Sequence, residues 1–357
     1  MTKYICLNCE ENYPEKGLPH LCEKCGGVYG LTDLSYSPGE YRMPGILRYE
    51  ESLNLPLPKN VNYLGEAQTP LIRLDASLDV YAKLENLNPS GSFKDRGTAA
   101  LMLLLLKRGI REVIEDSSGN AGASLALYTA AHGIKNHIYI PDGTSGAKRV
   151  QIERFSSSVI KVPGARENAH LAAIEAVTQK LPYASHALLP FGMSGYATIA
   201  FEIYESLGRL PGTVISPVGH GSLFLALILG FQAIHNSISK GSQPDFIGVQ
   251  PDNCDPVVKA FEGKTFSGIK KSSIAEGTQL ANPQRGQELL DKLDKEKDRM
   301  VSLSDRKILD AWEELHRRGI DVEPTSAMVW GAYETLRKSL TGPVVLIMTG
   351  SGLKYTN

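Results

Sequence analysis

The sequence predicts an α/β protein of two packed units, each a parallel sheet with helices on its faces, preceded by a small cysteine-bearing module. Three observations carry that expectation. A chain of 357 residues exceeds what one compact core usually holds. From about Tyr63 onward, short apolar runs alternate with helical patterns, as in a doubly wound parallel sheet. Four of the five cysteines crowd into the start as Cys6-Leu7-Asn8-Cys9 and Cys22-Glu23-Lys24-Cys25.

The elements follow in chain order. Two Cys-x-x-Cys knuckles supply four thiolates, the set a tetrahedral zinc ion prefers, so Cys6, Cys9, Cys22 and Cys25 are candidate ligands of a structural zinc. A redox pair or two disulfides would use the same residues; a reducing cytosol disfavours the disulfides, and the doubled knuckle disfavours a single redox motif. Residues 1–35 are too few to bury a core alone and depend on the ion for their fold. Pro38, Gly39, Pro44, Gly45, Pro56 and Pro58 then mark a linker in which no helix or strand persists for long. Val80 to Leu84 reads as a strand and Thr98 to Arg108 as a buried helix, and the strand Val113 to Asp116 runs into a Ser/Gly turn. A helix over Gly122 to His132, a strand at His137 to Pro141 and a helix over Ala147 to Phe155 come next. The strand Thr213 to Pro217 leads into Gly219-His220-Gly221-Ser222 and a long apolar helix, with another strand at Phe246 to Gln250. Gln284 to Arg299 reads as a charged, solvated helical face. Val344 to Met348 ends in Thr349-Gly350-Ser351-Gly352. Three strands thus run into Gly/Ser loops, and in open α/β sheets ligands bind beyond the carboxyl ends of strands.

Composition narrows the partners. With 38 Lys+Arg against 39 Asp+Glu, and no block of basic residues, neither nucleic acid nor a membrane surface is an expected partner. The apolar runs Ala99 to Leu106 and Leu223 to Leu229 fall short of the roughly 20 residues that span a bilayer. The polar start from Met1 to Cys6 lacks an export leader, which makes the cytoplasm the expected location. Small molecules are the expected ligands.

Asn88-Pro89-Ser90-Gly91-Ser92-Phe93-Lys94-Asp95-Arg96-Gly97 places a lysine where a loop enters an apolar helix. The electropositive helix end and burial both favour a neutral, nucleophilic amine; the competing reading is a surface lysine paired with Asp95. Pro-Ser-Gly-Ser-Phe-Lys-Asp-Arg-Gly resembles the cofactor-lysine signature of the fold-type II pyridoxal-phosphate enzymes. That resemblance implies two α/β units of the tryptophan synthase β-subunit type with pyridoxal 5'-phosphate between them, bonded to Lys94. It runs from about Tyr63 to Lys354, and Gly65-Glu66-Ala67-Gln68-Thr69-Pro70-Leu71 resembles the family's Thr-Pro-Leu segment. The domains it implies are 1–35 (zinc-ribbon-like module), 36–98 with 200–357 (large, cofactor-binding) and 99–199 (small).

The resemblance assigns further roles. Ser117, Ser118, Gly119, Ala121 and Gly122 resemble the loop that grips the substrate carboxylate, a task suited to N–H groups at a helix start. The Asn120 amide would meet the cofactor's ring hydroxyl. Gly219, His220, Gly221 and Ser222 resemble the phosphate cup, and His220 departs from its more glycine-rich forms; its ring either donates to the phosphate or points to solvent. Ser351 would face the pyridine nitrogen, and a neutral partner there suits eliminations and replacements. Glu323-Pro324-Thr325-Ser326-Ala327 and Ala275-Glu276-Gly277 match segments on the cofactor side.

The cysteine-rich start, the Ser-Phe-Lys-Asp-Arg-Gly form and the Thr-Gly-Ser-Gly-Leu-Lys ending most resemble the threonine synthase group, which implies conversion of O-phospho-L-homoserine and water to L-threonine and phosphate, phosphate leaving from the γ-carbon and water adding at the β-carbon, and a homodimer. One departure stands against it. That group often carries an Asn-Pro-x-Arg segment before Gly-Gln-Lys-Thr, whereas this chain reads Leu189-Pro190-Phe191-Gly192-Met193-Ser194-Gly195-Tyr196-Ala197-Thr198, leaving Lys148, Arg149, Arg154 or Arg166 as substitutes for a substrate phosphate. The alternatives are a β-eliminase or β-replacement enzyme of the serine/threonine dehydratase or cysteine synthase type, and, from another class, a non-catalytic zinc-containing binding protein.

Overall fold

The computed structural model describes residues 2–38, 43–58, 61–75, 79–156, 158–238, 241–269 and 271–355. Among these residues the strands are β1 (Lys3–Cys6), β2 (Tyr29–Thr32), β3 (Leu71–Arg73), β4 (Val80–Lys83), β5 (Glu112–Glu115), β6 (Lys135–Pro141), β7 (Ser158–Val162), β8 (Thr213–Pro217), β9 (Asp245–Pro251), β10 (Arg299–Leu303) and β11 (Val344–Ile347). The chain divides into two compact units. One comprises Met1–Ala67, Asn88–Thr198 and Lys354–Asn357; the other comprises Gln68–Leu87 and Ile199–Leu353.

The first unit holds the parallel sheet β5-β6-β7, whose edge at β5 is extended by a parallel bridge between Ile114 and Tyr183. Alternation along β6 buries Asn136, Ile138 and Ile140 on one face, as the period of 2 requires. Its helices include Lys94–Lys107, Asn120–Ala131, Ala147–Phe155 and Arg166–Glu175. Arg96 to Leu105 is buried without a polar face, so packing rather than an exposed apolar stripe holds the helix Lys94–Lys107.

The cysteine-bearing start is docked on this unit. β1 and β2 pair antiparallel, Lys3 opposite Thr32 and Cys6 opposite Tyr29. The Tyr4 hydroxyl lies 2.9 Å from Ser194 Oγ, and the Tyr4 and Tyr13 rings lie 4.6 and 4.7 Å from that of Phe191. Arg108, at the end of the helix Lys94–Lys107, donates to the carbonyls of Pro14 and Gly17, both at 2.6 Å. The stretch expected to be a linker packs as well: Gly45–Tyr49 forms a 3-10 turn and Glu50–Leu53 a helical turn, with Ile46, Tyr49 and Leu53 buried. Its Gly39 lies outside the described residues.

The second unit is a six-stranded sheet in the order β10-β9-β8-β11-β4-β3, parallel except for the antiparallel edge strand β3. Its central strands, Thr213-Val214-Ile215-Ser216-Pro217 and Val344-Val345-Leu346-Ile347, are buried at every residue, so neither shows the apolar/polar alternation of a half-exposed strand. Val80, Ile215, Ile247 and Leu346 pack with Met328 and Trp330 of the helix Pro324–Leu336. The helix Ser222–Ile238 is apolar all round and buried through most of its length, whereas Asp305–Arg317 buries only Ile308, Ala311 and Leu315.

Residues 43–58, 61–67 and 88–98 group with the first compact unit. One expectation is corrected. The charged stretch Gln284 to Arg299 is helical only at Gly286–Leu290. Beyond it, Asp298 accepts N–H bonds from Asp294 and Phe246, both at 2.8 Å, and Asp294 accepts from Glu296 N at 3.0 Å. Such side-chain bonds compete with helix continuation.

Candidate active site

In the first unit the lysine loop is tied down by side chains. Asn88 Oδ1 accepts from Ala67 N at 2.9 Å. Asp95, fully buried, accepts from Ser90 N at 2.6 Å and Ser90 Oγ at 2.5 Å. The Ser90 carbonyl accepts from Lys354 Nζ at 2.7 Å and Gln151 Nε2 at 3.2 Å. Burial pushes the Asp95 carboxyl up, against hydrogen bonds from Ser124 and Ser90 and the charge of Lys354. Both Asp95 oxygens thus serve Ser90. Lys94 opens the helix; its Nζ lies 4.6 Å from the Phe93 ring centroid and 5.7 Å from that of Tyr196, within cation–π range. Glycine lets the neighbouring segment approach: a Cβ at Gly195 would lie 2.1 Å from the Arg96 carbonyl, and one at Gly97 2.5 Å from the Tyr196 ring.

At the end of β5, Asp116 to Gly119 turn into the helix Asn120–Ala131. A Cβ at Gly122 would lie 1.9 Å from Ser117 O, so the loop folds back on the helix start only because that position is glycine. The Gly119 N–H donates to Ser117 Oγ at 3.3 Å, and nothing approaches its own absent Cβ closer than 3.9 Å. Ser117 is buried, and Ser118 and Asn120 are half-buried. The loop thus leads directly into the N-terminus of the helix Asn120–Ala131.

Sequence reasoning missed a polar cluster directly before this loop. Asp116 accepts from the Tyr183 hydroxyl at 2.7 Å and lies 2.8 Å from His170 Nδ1, while Glu115 lies 2.9 Å from His186 Nδ1. Despite burial, the His170 bond, the charges of His186 and His170 and the Tyr183 bond hold Asp116 well below the usual carboxylate range. Burial, and then repulsion from Asp116, pushes Glu115 well up. Burial, with the Lys94 charge behind it, pulls His186 down to about 3. The adjacent carboxylates at a strand end were the available signal; their histidine partners, 54 and 71 positions away, were not readable from spacing.

In the second unit the Gly219–Ser222 loop is shaped by backbone. Gly221 has φ +100°, a conformation open to glycine. Cβ atoms at Gly219 and Gly221 would lie 3.2 Å from the carbonyls of Gly277 and Arg285. The His220 carbonyl accepts from Arg285 N at 3.0 Å, and its ring Nδ1 accepts from Gln284 N at 3.4 Å, so the ring is aimed at the protein's own backbone on that side. Ser222 opens the long helix; its Oγ is buried and has no hydrogen-bond partner among the described residues. Ser351 Oγ, half-buried, accepts from Leu353 N at 3.3 Å, and Ser351 bridges Val322. Gly350 N donates to Ser326 Oγ at 2.8 Å, and a Cβ at Gly350 would meet Glu323 Oε1 at 2.2 Å. Glu323 is buried and Glu276 exposed.

The candidate residues therefore fall in two sets, Lys94 with Ser117 to Gly122 in the first unit and Gly219 to Ser222 with Ser351 in the second. Of the candidate phosphate partners, Arg149 is engaged by Glu153 at 2.9 Å and by the Thr144 carbonyl, and Arg154 and Arg166 are exposed. The four cysteines cluster: Cys6 and Cys25 Sγ lie 3.4 Å apart, Cys9 and Cys22 Sγ 3.8 Å, and all four within 4.8 Å of one another.

Comparison with known proteins defines the class. The family described as pyridoxal-phosphate dependent enzyme matches residues 63–350, and the chain belongs to that family. It is 31% identical to the threonine synthase of Methanocaldococcus jannaschii over 98% of this chain and 92% of that protein, and 28% identical to that of Methanosarcina acetivorans over 98% and 91%. Among solved structures it resembles a T.th. threonine deaminase (TM-score 0.71, 22% identity, 82% of this chain and 94% of that one). It also resembles the serine racemase of maize (TM-score 0.69, 21% identity, 80% and 88%). These likenesses give the fold, an α/β fold-type II pyridoxal-phosphate enzyme. No helix among the described residues is long and apolar enough to cross a membrane.

Proposed function

We propose that the protein is a threonine synthase-like lyase that converts O-phospho-L-homoserine and water to L-threonine and phosphate. The observation that carries this reading is likeness to threonine synthases over 98% of the chain, cysteine-bearing start included. The residues fit pyridoxal 5'-phosphate: the Ser222 hydroxyl is buried with no protein partner among the described residues, and the loop before it is one that Cβ atoms at Gly219 and Gly221 would crowd. Lys94 would bond the aldehyde carbon, Asn120 the ring hydroxyl, Gly219, His220, Gly221 and Ser222 the phosphate, and Ser351 the ring nitrogen.

Bound pyridoxal phosphate supplies an electron sink for charge developing at the substrate's α-carbon. The chain's own residues do the rest. Ser117, Ser118, Gly119, Ala121 and Gly122 receive the substrate carboxylate at the helix start and fix its orientation. Lys94 Nζ would take the substrate's α-proton and return a proton later. Lys148, Arg149, Arg154 or Arg166 recognises the leaving phosphate.

Cys6, Cys9, Cys22 and Cys25 hold a structural zinc: bonds of about 2.3 Å in a tetrahedron separate sulfurs by about 3.8 Å, close to the spacings in the cluster. We place the enzyme in the cytoplasm as a homodimer acting on an amino acid.

The test incubates purified, cofactor-loaded protein and its Lys94→Ala variant with O-phospho-L-homoserine, L-serine and L-threonine, assaying phosphate, ammonia and keto acid separately. Phosphate and threonine in equal amounts, lost in the variant, are expected. Ammonia and keto acid without phosphate would assign β-elimination instead. Metal analysis should find one zinc per chain, and Cys9→Ser should lose it.

A further inference from the structure

The cysteine-bearing start has no part in the chemistry assigned above, yet an unbroken set of contacts runs from it to the first turn of the lysine helix. Tyr13 packs on the cluster of Cys6, Cys22 and Tyr29, its ring 4.6 Å from that of Tyr29, and its N–H donates to the Tyr4 carbonyl at 2.8 Å. The Tyr4 and Tyr13 rings both flank Phe191. The buried Ser194 Oγ donates its one proton to the Phe191 carbonyl at 2.7 Å, so at 2.9 Å it accepts from the Tyr4 hydroxyl.

Phe191 and Ser194 belong to the first turn of the helix Phe191–Leu207. The next residues of that helix lie on the lysine helix at two glycines: Gly195 faces the Arg96 carbonyl, and Gly97 faces the Tyr196 ring. Arg96, fully buried, donates to Thr198 Oγ1 at 2.9 Å. Tyr196 completes the contact, its ring 5.0 Å from that of Phe93 and 5.7 Å from Lys94 Nζ.

We propose that Tyr4 is a positioning residue for Lys94: its ring and hydroxyl hold the start of the helix Phe191–Leu207, which in turn seats the backbone of Arg96 and Gly97. The proposal rests on the reading of Lys94 as the cofactor lysine. A close-packed contact with no flexible side chain between its partners passes a shift on instead of absorbing it. Lys94 opens the helix that contains Arg96 and Gly97 and moves with them. A misplacement of about 1 Å in a reacting group is enough to cost roughly a hundredfold in rate. The module's other tie, Arg108 to the carbonyls of Pro14 and Gly17, acts at the far end of the same helix, about 20 Å along its axis from Lys94. The zinc ion held by Cys6, Cys9, Cys22 and Cys25 thereby acts on Lys94 without touching it, because it fixes β1 and the Tyr4 that β1 carries.

The experiment uses the zinc- and cofactor-loaded protein, Tyr4→Phe, Tyr4→Ala and Arg108→Ala, with zinc content and Tm recorded for each. The readouts are kcat, KM and the visible circular dichroism of lysine-bound cofactor, which responds to how Lys94 holds the ring. Tyr4→Ala should retain zinc, lower kcat about tenfold at little cost in KM and alter the visible dichroism. Tyr4→Phe keeps the ring and loses one hydrogen bond, so kcat should fall about threefold. Arg108→Ala should lower Tm and leave dichroism and kcat as in wild type. Removal of zinc from the wild-type protein with a chelator should reproduce the Tyr4→Ala dichroism and add little in Tyr4→Ala itself, since two changes on one route do not add. Wild-type dichroism and kcat in both Tyr4 variants would overturn the proposal, as would an effect of Arg108→Ala equal to that of Tyr4→Ala. Should Tyr4→Ala not fold, Tyr4→Phe decides alone, and wild-type behaviour there overturns the proposal. Absence of the visible band from the wild-type protein would sink the lysine reading and this proposal with it, whereas a wild-type band that the Tyr4 variants leave unchanged would sink only the proposal.

Discussion

The two loops assigned to the cofactor are built by opposite means. The lysine loop is held by side chains: Asp95 takes both donors of Ser90, Lys354 and Gln151 take its carbonyl, and Asn88 reaches back to Ala67. The glycine loop is held by backbone, with Gly221 at φ +100°, the His220 carbonyl bound by Arg285 N and the Ser222 hydroxyl without a protein partner among the described residues. A reactive amine needs a fixed position, which a network of buried polar bonds provides. An anion needs donors with nothing else to bind, which glycines and a helix start provide.

The contrast can be broken, and the largest effect belongs to Lys94. Lys94→Ala should abolish the visible band of lysine-bound cofactor and lower turnover by about a thousandfold or more, while the melting curve stays near that of wild-type apoprotein. Asp95→Ala comes next and acts on the fold. It strands both Ser90 donors in a buried site, so chemical denaturation should report a loss of about 3 kcal/mol. Ser222→Ala sharpens the comparison because its hydroxyl contributes no internal bond. Apoprotein stability should change by less than about 0.5 kcal/mol. The dissociation constant for pyridoxal phosphate should rise about tenfold or more, as for a lost hydrogen bond to a charged group. If Ser222→Ala instead destabilises the apoprotein as Asp95→Ala does, the distinction between the loops fails.

The smallest effect lies at His170. Its hydrogen bond to Asp116 raises its affinity for a proton, so the folded state gains stability that is complete below the ordinary histidine value of about 6.5 and is lost as pH rises through the raised folded value. His170→Gln should therefore lower Tm at pH 6 and leave it unchanged at pH 9. The ring is 37% exposed, so solvent screening limits the shift to about 1–2 °C.

Much of this was legible because the signals are local. The helix Ala147–Phe155 and the strand Thr213–Pro217 fall where periodicity and an apolar run bounded by Gly and Pro place them. The Ser117 to Gly122 loop was readable because Gly122 is demanded by its own neighbour, Ser117. The charged stretch after Leu290 misled because its composition suits a helix, while Asp294 and Asp298 commit their side chains to nearby N–H groups. The linker misled for the converse reason: proline and glycine limit regular structure but do not prevent Ile46, Tyr49 and Leu53 from being buried.

The sequence by itself determined the alternation of strands and helices, the two Cys-x-x-Cys knuckles and the lysine at a helix start, since each depends on residues within a few positions of one another. Only the tertiary structure decided that residues 43–58 and 61–67 pack with the first unit, that Lys354 closes on Ser90, and that His170, Tyr183 and His186 gather on Glu115 and Asp116. Those pairings join positions dozens to hundreds apart, and no local periodicity encodes them. They arise when buried polar groups, stripped of water, take the partners that the packing of the helices brings within reach.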